Sequence, residues 1–337
     1  MQPGTDKARN MRRAAGLPGQ APKNLELVSG VAPTPAEDLR YHGGKTIAKL
    51  SFVNLYVAGE SWPAQDVEAI ERALAAAMAD RNLNNVMAQY FTEPIGSTAR
   101  NWHPLNGGYK PQVVTQGDVQ YYLKFLHDQG YLKGYDLPNT VFNFMLPPGT
   151  VLTTNSGRSS ADGGVPASDV VTADKEDDGD EPDSPIPEAE EGNSRDGLGG
   201  FHGSIHLGKT TLYYAVGAYS EKRADGFRNG IPVFPEAWKN IVATFYHELQ
   251  EARTDPDVED AIRAGNDPRG VQFLGWTSDR GEECGDYPLD EVRQLGTIIK
   301  EVPLTDGSGV VPVQFQYSNY VHGPEGPIAS PHPPLRR

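Results

Sequence analysis

Cysteine is nearly absent from this 337-residue chain, Cys284 being the only one. A disulfide within the chain is thereby excluded, and so is a zinc cluster built from several thiolates. Long apolar runs are missing too; none approaches the roughly 20 residues that a membrane-spanning helix needs. Positive charge is scarce, with 30 Lys and Arg against 45 Asp and Glu and a net charge of −15. With a pI near 5.0, that balance argues against a nucleic-acid or anionic-membrane partner. The basic opening segment MQPGTDKARNMRRAAGLPGQAPKN is followed by no apolar stretch, so it does not read as a signal peptide. A lone thiol suits the cytosol but leaves the compartment open. What the chain has in abundance is proline (28) and glycine (37), which implies many loops.

Residues 1–40 carry Gly, Pro and scattered charge without periodicity and read as a flexible arm. Residues 155–200 lose hydrophobic and aromatic character. From Asn155 to Leu198 there are 13 acidic and 3 basic side chains, a net of −10, and the stretch reads as a disordered acidic insertion. Asp177, Asp178, Asp180 and Asp183 invite comparison with a calcium loop, but the glycine and closing glutamate of an EF-hand are out of place. The insertion splits one domain into halves, 41–154 and 201–322, and a flexible tail follows at 323–337. Within the halves, strands are expected at Thr46–Val57, Thr140–Leu146, Thr210–Ala218 and Val310–Tyr317. Helices are expected at Gln65–Asp80, at Asp118–Asp128 and from Pro235 to about Arg253. Strands alternating with helices predict an α/β domain, a mixed sheet layered by helices.

The helix from Pro235 carries the chemistry. Trp238, Ile241, Val242, Phe245 and Leu249 form an apolar stripe, while His247 and Glu251 lie nearly opposite it, one turn apart. Such a pair can bind one metal ion through an imidazole nitrogen and a carboxylate oxygen. Pro256 should turn the chain after Asp255, directing Asp255 or Asp257 back toward the ion. A solvated helix face is the plain alternative. A second cluster weighs against it: Asp279, Glu282, Glu283 and Asp286 crowd a loop whose Gly281 and Gly285 permit a tight backbone. His202 and His206 would lie one turn apart if helical, but the surrounding Gly and Ser argue for a loop, and Trp102-His103-Pro104 reads as a packed loop anchor. Cys284, between carboxylates, should have a raised thiol pKa and be a poor nucleophile.

His247-Glu-Leu-Gln-Glu251 resembles the zincin motif H-E-x-x-H with its second histidine replaced by glutamate. In that motif the glutamate beside the first ligand activates water at the metal, the role that the resemblance assigns to Glu248. The wider pattern is similar to bacterial relatives of the plant EXORDIUM (phosphate-induced) proteins. It comprises His-Glu-Leu-x-Glu-Ala-x-Thr-Asp-Pro, then Gly-Trp, then Gly-Glu-x-x-Gly-Asp. NTVFNFMLPPG from Asn139, FHGSIHLGKTTLYYAV from Phe201 and VQFQYSN from Val313 agree with it, extending the likeness over roughly Tyr41 to His322. The secretion signal and paired cysteines usual in such proteins are missing, with Phe201 and Pro288 standing about where cysteines would fall.

Two functions follow as expectations. One is a zincin-like metallohydrolase, a peptidase acting on a peptide or protein. It would use zinc on His247, Glu251, Asp255 or Asp257, Glu283 and Asp286, with Glu248 as base. The other is a non-catalytic, EXORDIUM-like interaction module with a structural zinc or calcium ion. An open coordination position facing a cleft marks the first, and a closed site the second.

Overall fold

The run KLSFVNLYV, rich in β-branched and aromatic residues, suits a strand covered on both faces. In the computed structural model, which describes residue 28 and residues 31–105, 110–159, 192–259, 261 and 268–337, it forms the interior strand β1 (Lys49–Val57). The main sheet adds β2 (Gly96–Ala99), β3 (His103–Leu105), β4 (Thr140–Met145), β5 (Gly200–Leu207) and β6 (Thr210–Gly217). Their order is β2-β1-β4-β6-β5, with β3 also on β1. Every pairing is parallel except that of β6 with the edge strand β5, which is antiparallel.

Among the described residues, five α-helices complete the frame: α1 (Ala64–Ala79), α2 (Arg81–Met87), α3 (Gln116–Asp128), α4 (Ala237–Thr254) and α5 (Asp286–Glu291). Alternation along the strands divides the core. Phe52, Tyr56, Met145 and Ala215 pack against Ile70, Leu74 and Met78 of α1 and Ile241, Phe245 and Leu249 of α4. On the other face Val53, Phe142, Phe144 and Val216 meet Val119, Leu123 and Leu126 of α3. The result is the expected mixed sheet layered by helices. Thr115 and Asp118 start α3 with a reciprocal capping box. Asn240 prepares the start of α4, its Oδ1 accepting from the N–H groups of Val233 and Phe234 at 2.9 and 2.7 Å. The hairpin β7 (Ile299–Pro303) and β8 (Val310–Gln314) lays Val302, Val311 and Val313 onto the α1–α4 core. That docking brings the end of β8 to α4.

Several boundaries differ from the sequence expectation. Residues 31–40 are packed: Val31 and Leu39 are buried, and Asn319 hydrogen-bonds the backbone of Leu39 in both directions. Residues 155–159 and 192–200 belong to the fold. Asn193 bridges to Thr153, and Ser194 and Leu198 are buried. The rest of the expected insertion, with its aspartate run, lies outside the described residues. In the tail, β10 (Gly323–Glu325) pairs with β9 (Gln316–Ser318), and the Leu335 N–H donates to the Gln89 carbonyl at 2.7 Å. The strand expected at Val310–Tyr317 breaks at Phe315 into β8 and β9, which join different hairpins. Trp102 is 44% exposed rather than a packed anchor, and His103 opens β3.

Candidate metal centre

Helix α4 has no solvated face along its last four turns: every residue from Asn240 to Thr254 is buried. His247 is 5% exposed, Glu248 2% and Glu251 0%, which removes the solvated-face reading. Two elements cover them, β5 from the sheet side and the loop of Glu283 and Asp286 from the other.

The close approach of that loop depends on Gly285. A β-carbon there would stand 2.5 Å from His247 Nδ1 and 3.0 Å from Glu251 Oε1. With glycine in place, the N–H groups of Gly285 and Asp286 donate to Glu251 Oε1 at 3.2 and 3.0 Å. Its second oxygen, Oε2, is thus aimed at His247 Nε2, 3.2 Å away. Asp286 Oδ1 lies 3.5 Å from the same nitrogen and Glu248 Oε1 3.8 Å. The far ring nitrogen, Nδ1, meets Gln314 Oε1 at 3.1 Å. Gln314 is oriented by its own amide, Nε2 donating to the Gly285 carbonyl, so its oxygen is left to accept from the imidazole. This arrangement leaves Nε2 pointing at carboxylates. Burial disfavours a charge on His247, but Glu251, Glu248 and Asp286 outweigh it and push the imidazole pKa up to about 10.

His202, read from sequence as lying in a loop, is instead in β5. It sits opposite Ala215 and on the sheet face that packs α4. Its Nδ1 is 3.4 Å from Glu248 Oε2 and 3.6 Å from Glu251 Oε2. On the ring's other edge, Nε2 is 3.0 Å from the Asp255 carbonyl and 3.3 Å from Glu283 Oε1. The alternation of His202, Ser204 and His206 was the one signal that a strand would turn these histidines to a common side.

His247, Glu251 and Asp286 come together as one group able to hold an ion, and His202, Glu248 and Glu251 as another. The other expected ligands are placed differently. Glu283 faces the far edge of His202 from Glu251. Asp255 turns Oδ1 to the Gly275 N–H, accepting at 2.8 Å, and its carbonyl faces His202 Nε2. Asp257 lies 3.8 Å from His206 Nε2. Cys284 is buried, and burial, then Glu251, holds its thiol well above the ordinary range. The direction matches the expectation, while the leading cause is desolvation.

A narrow cleft lies beside this cluster, lined by Gly199, Gly200, Ala243 and Thr244 together with His247, Glu248 and Asp286. No helix among the described residues is long and apolar enough to cross a membrane. No protein-family model, curated protein or solved structure matches the chain.

Proposed function

We propose that this chain is a metal-dependent hydrolase with a zincin-like site, acting on a peptide or protein. The observation that carries the reading is the cleft that reaches His247, Glu248 and Asp286, since a catalytic site needs an open approach and a structural one does not. His247, Glu251 and Asp286 would hold the ion. An imidazole among carboxylates suits zinc, whereas calcium takes oxygen ligands. Bound there, zinc supplies Lewis acidity toward a carbonyl and makes hydroxide accessible near neutral pH. Glu248 would act as the base through Oε1, which lies 3.8 Å from His247 Nε2. Glu251 is held by two backbone donors and keeps its ligand oxygen fixed. The sequence pattern that resembles bacterial EXORDIUM relatives is the support for placing the chain beside them, as part of the same proposal.

The test is peptide cleavage by protein purified without chelators, with added zinc and a chelator control. Glu248→Gln should keep the ion at His247 while lowering turnover by roughly 10²–10⁴-fold, the usual contribution of a general base. Full activity in that variant overturns the mechanism. Tightly held metal with no cleavage by the wild type identifies the non-catalytic module instead.

A further inference from the structure

The geometry points to a second metal ion on the inner side of α4. His202 Nδ1, Glu248 Oε2 and Glu251 Oε2 would hold it, making Glu251 the bridge of a dinuclear centre. The inference rests on the proposed ion at His247, with which it shares that bridge.

The first support is the state of the two rings. A backbone carbonyl only accepts, so His202 Nε2, 3.0 Å from the Asp255 carbonyl, carries the proton. Nδ1 is then the nitrogen that can give up its proton to a metal, and it faces two carboxylate oxygens. His247 repeats the arrangement, with Nδ1 donating to Gln314 and Nε2 facing Glu251 and Asp286. Metal-ligating histidines characteristically give their other N–H to a carbonyl or carboxylate in this way. Glu283, 3.3 Å from His202 Nε2, adds a carboxylate behind the ring.

The second support is spacing. A tetrahedral ion with bonds of about 2.0–2.1 Å sets its ligand atoms about 3.3–3.4 Å apart. The His202 pairs measure 3.4 and 3.6 Å, and the His247 pairs 3.2 and 3.5 Å. The two imidazoles belong to separate ligand groups that have Glu251 in common, and no one group holds both.

Charge is the third. Glu248, Glu251, Glu283 and Asp286 bring four negative charges into a region where each is at most 4% exposed. Carboxylates packed so closely in a buried region repel one another unless cations relieve them. Neither His202 nor Glu251 lines the cleft, and both side chains are fully buried. Of the three inner ligands only Glu248 lines the cleft, so the inner ion lies behind the outer one.

The test strips the full-length protein with chelator, reloads it with Zn²⁺ and counts tightly bound equivalents by mass spectrometry. Two equivalents are expected in the wild type, and one in His202→Ala, His202→Gln and His247→Ala. One equivalent in the wild type that His202→Ala leaves in place overturns the second ion while the hydrolase reading stands. One equivalent lost by both histidine variants means a single shared ion and likewise overturns it. No bound metal overturns both readings. Loading the wild type with Mn²⁺ avoids any folding defect of the variants: two equivalents should give an exchange-coupled multiline resonance, and isolated six-line spectra would refute the bridge.

Discussion

Gly285 and Glu251 define each other at the scale of single residues. The glycine lets two backbone N–H groups reach Glu251 Oε1, and that contact leaves Oε2 for the imidazoles. Gly285→Ala puts a methyl group 2.5 Å from His247 Nδ1 in a packed interior, a clash of the kind that costs about 1–3 kcal/mol. Lower metal retention together with a lower melting temperature is the expected result, read by calorimetry and metal analysis; unchanged retention would mean that the loop is free to move away. A second residue tests the electrostatics of the frame. Burial raises the pKa of Glu71, although Tyr56 and Asn54 both donate to its Oε1. A carboxyl with a raised folded-state pKa contributes stability that is fully present below its unfolded value and is lost as pH rises through the folded one. Glu71→Gln keeps an oxygen for both donors and removes the partly buried charge. The variant should melt above the wild type at pH 8, and the difference should shrink toward pH 4.

Among the elements, β5 and the short stretch before it decide whether the site exists. Strand alternation turns His202 toward α4, and only as an edge strand lying antiparallel on β6 does β5 present that residue beneath Glu248 and Glu251. The stretch before it is anchored by Ser194, whose Oγ accepts from the Leu152 N–H at 2.8 Å and donates to Asn229 Oδ1 at 2.7 Å. Ser194→Ala leaves both buried partners without it, at a cost of about 1–3 kcal/mol. Denaturant unfolding should show a lowered midpoint with an unchanged slope. A neutral result would place this stretch outside the cooperative fold.

For the whole molecule, the metal-free state should be the weaker one, because the carboxylates packed between α4, β5 and the Glu283–Asp286 loop then rely on protons alone. The raised pKa of His247 lends the metal-free chain stability that is complete below about 6.5 and lost as pH rises through about 10. A metal ion must displace that proton, so its apparent affinity should climb by up to about tenfold per pH unit toward pH 10. Zinc at 100 times its dissociation constant should stabilise the fold by about 2.7 kcal/mol. Thermal melts of stripped and reloaded protein across pH 6 to 9 check both statements, and a melting temperature indifferent to zinc would contradict them.

Local pattern was enough to reveal the elements that are amphipathic or bounded by clear signals. α1, α3, α4, β1, β4 and β6 all lie within a few residues of where periodicity and turn chemistry put them. The one-turn spacing of His247 and Glu251, and the company of Asp286 near Gly285, were legible for the same reason: helical repeat and glycine placement are properties of short segments. Three outcomes depended on segments far apart in the chain. Packing buried α4 on both sides, which no helical wheel reports. The pairing of β5 with β6 converted a Gly-Ser-His stretch from an apparent loop into the strand that delivers His202. And Asp255, Asp257 and Glu283, plausible ligands by composition, were drawn to Gly275, His206 and the far edge of His202. A carboxylate's sequence shows that it can bind a cation, but which partner its oxygens meet is set by the backbone that the tertiary fold brings beside it.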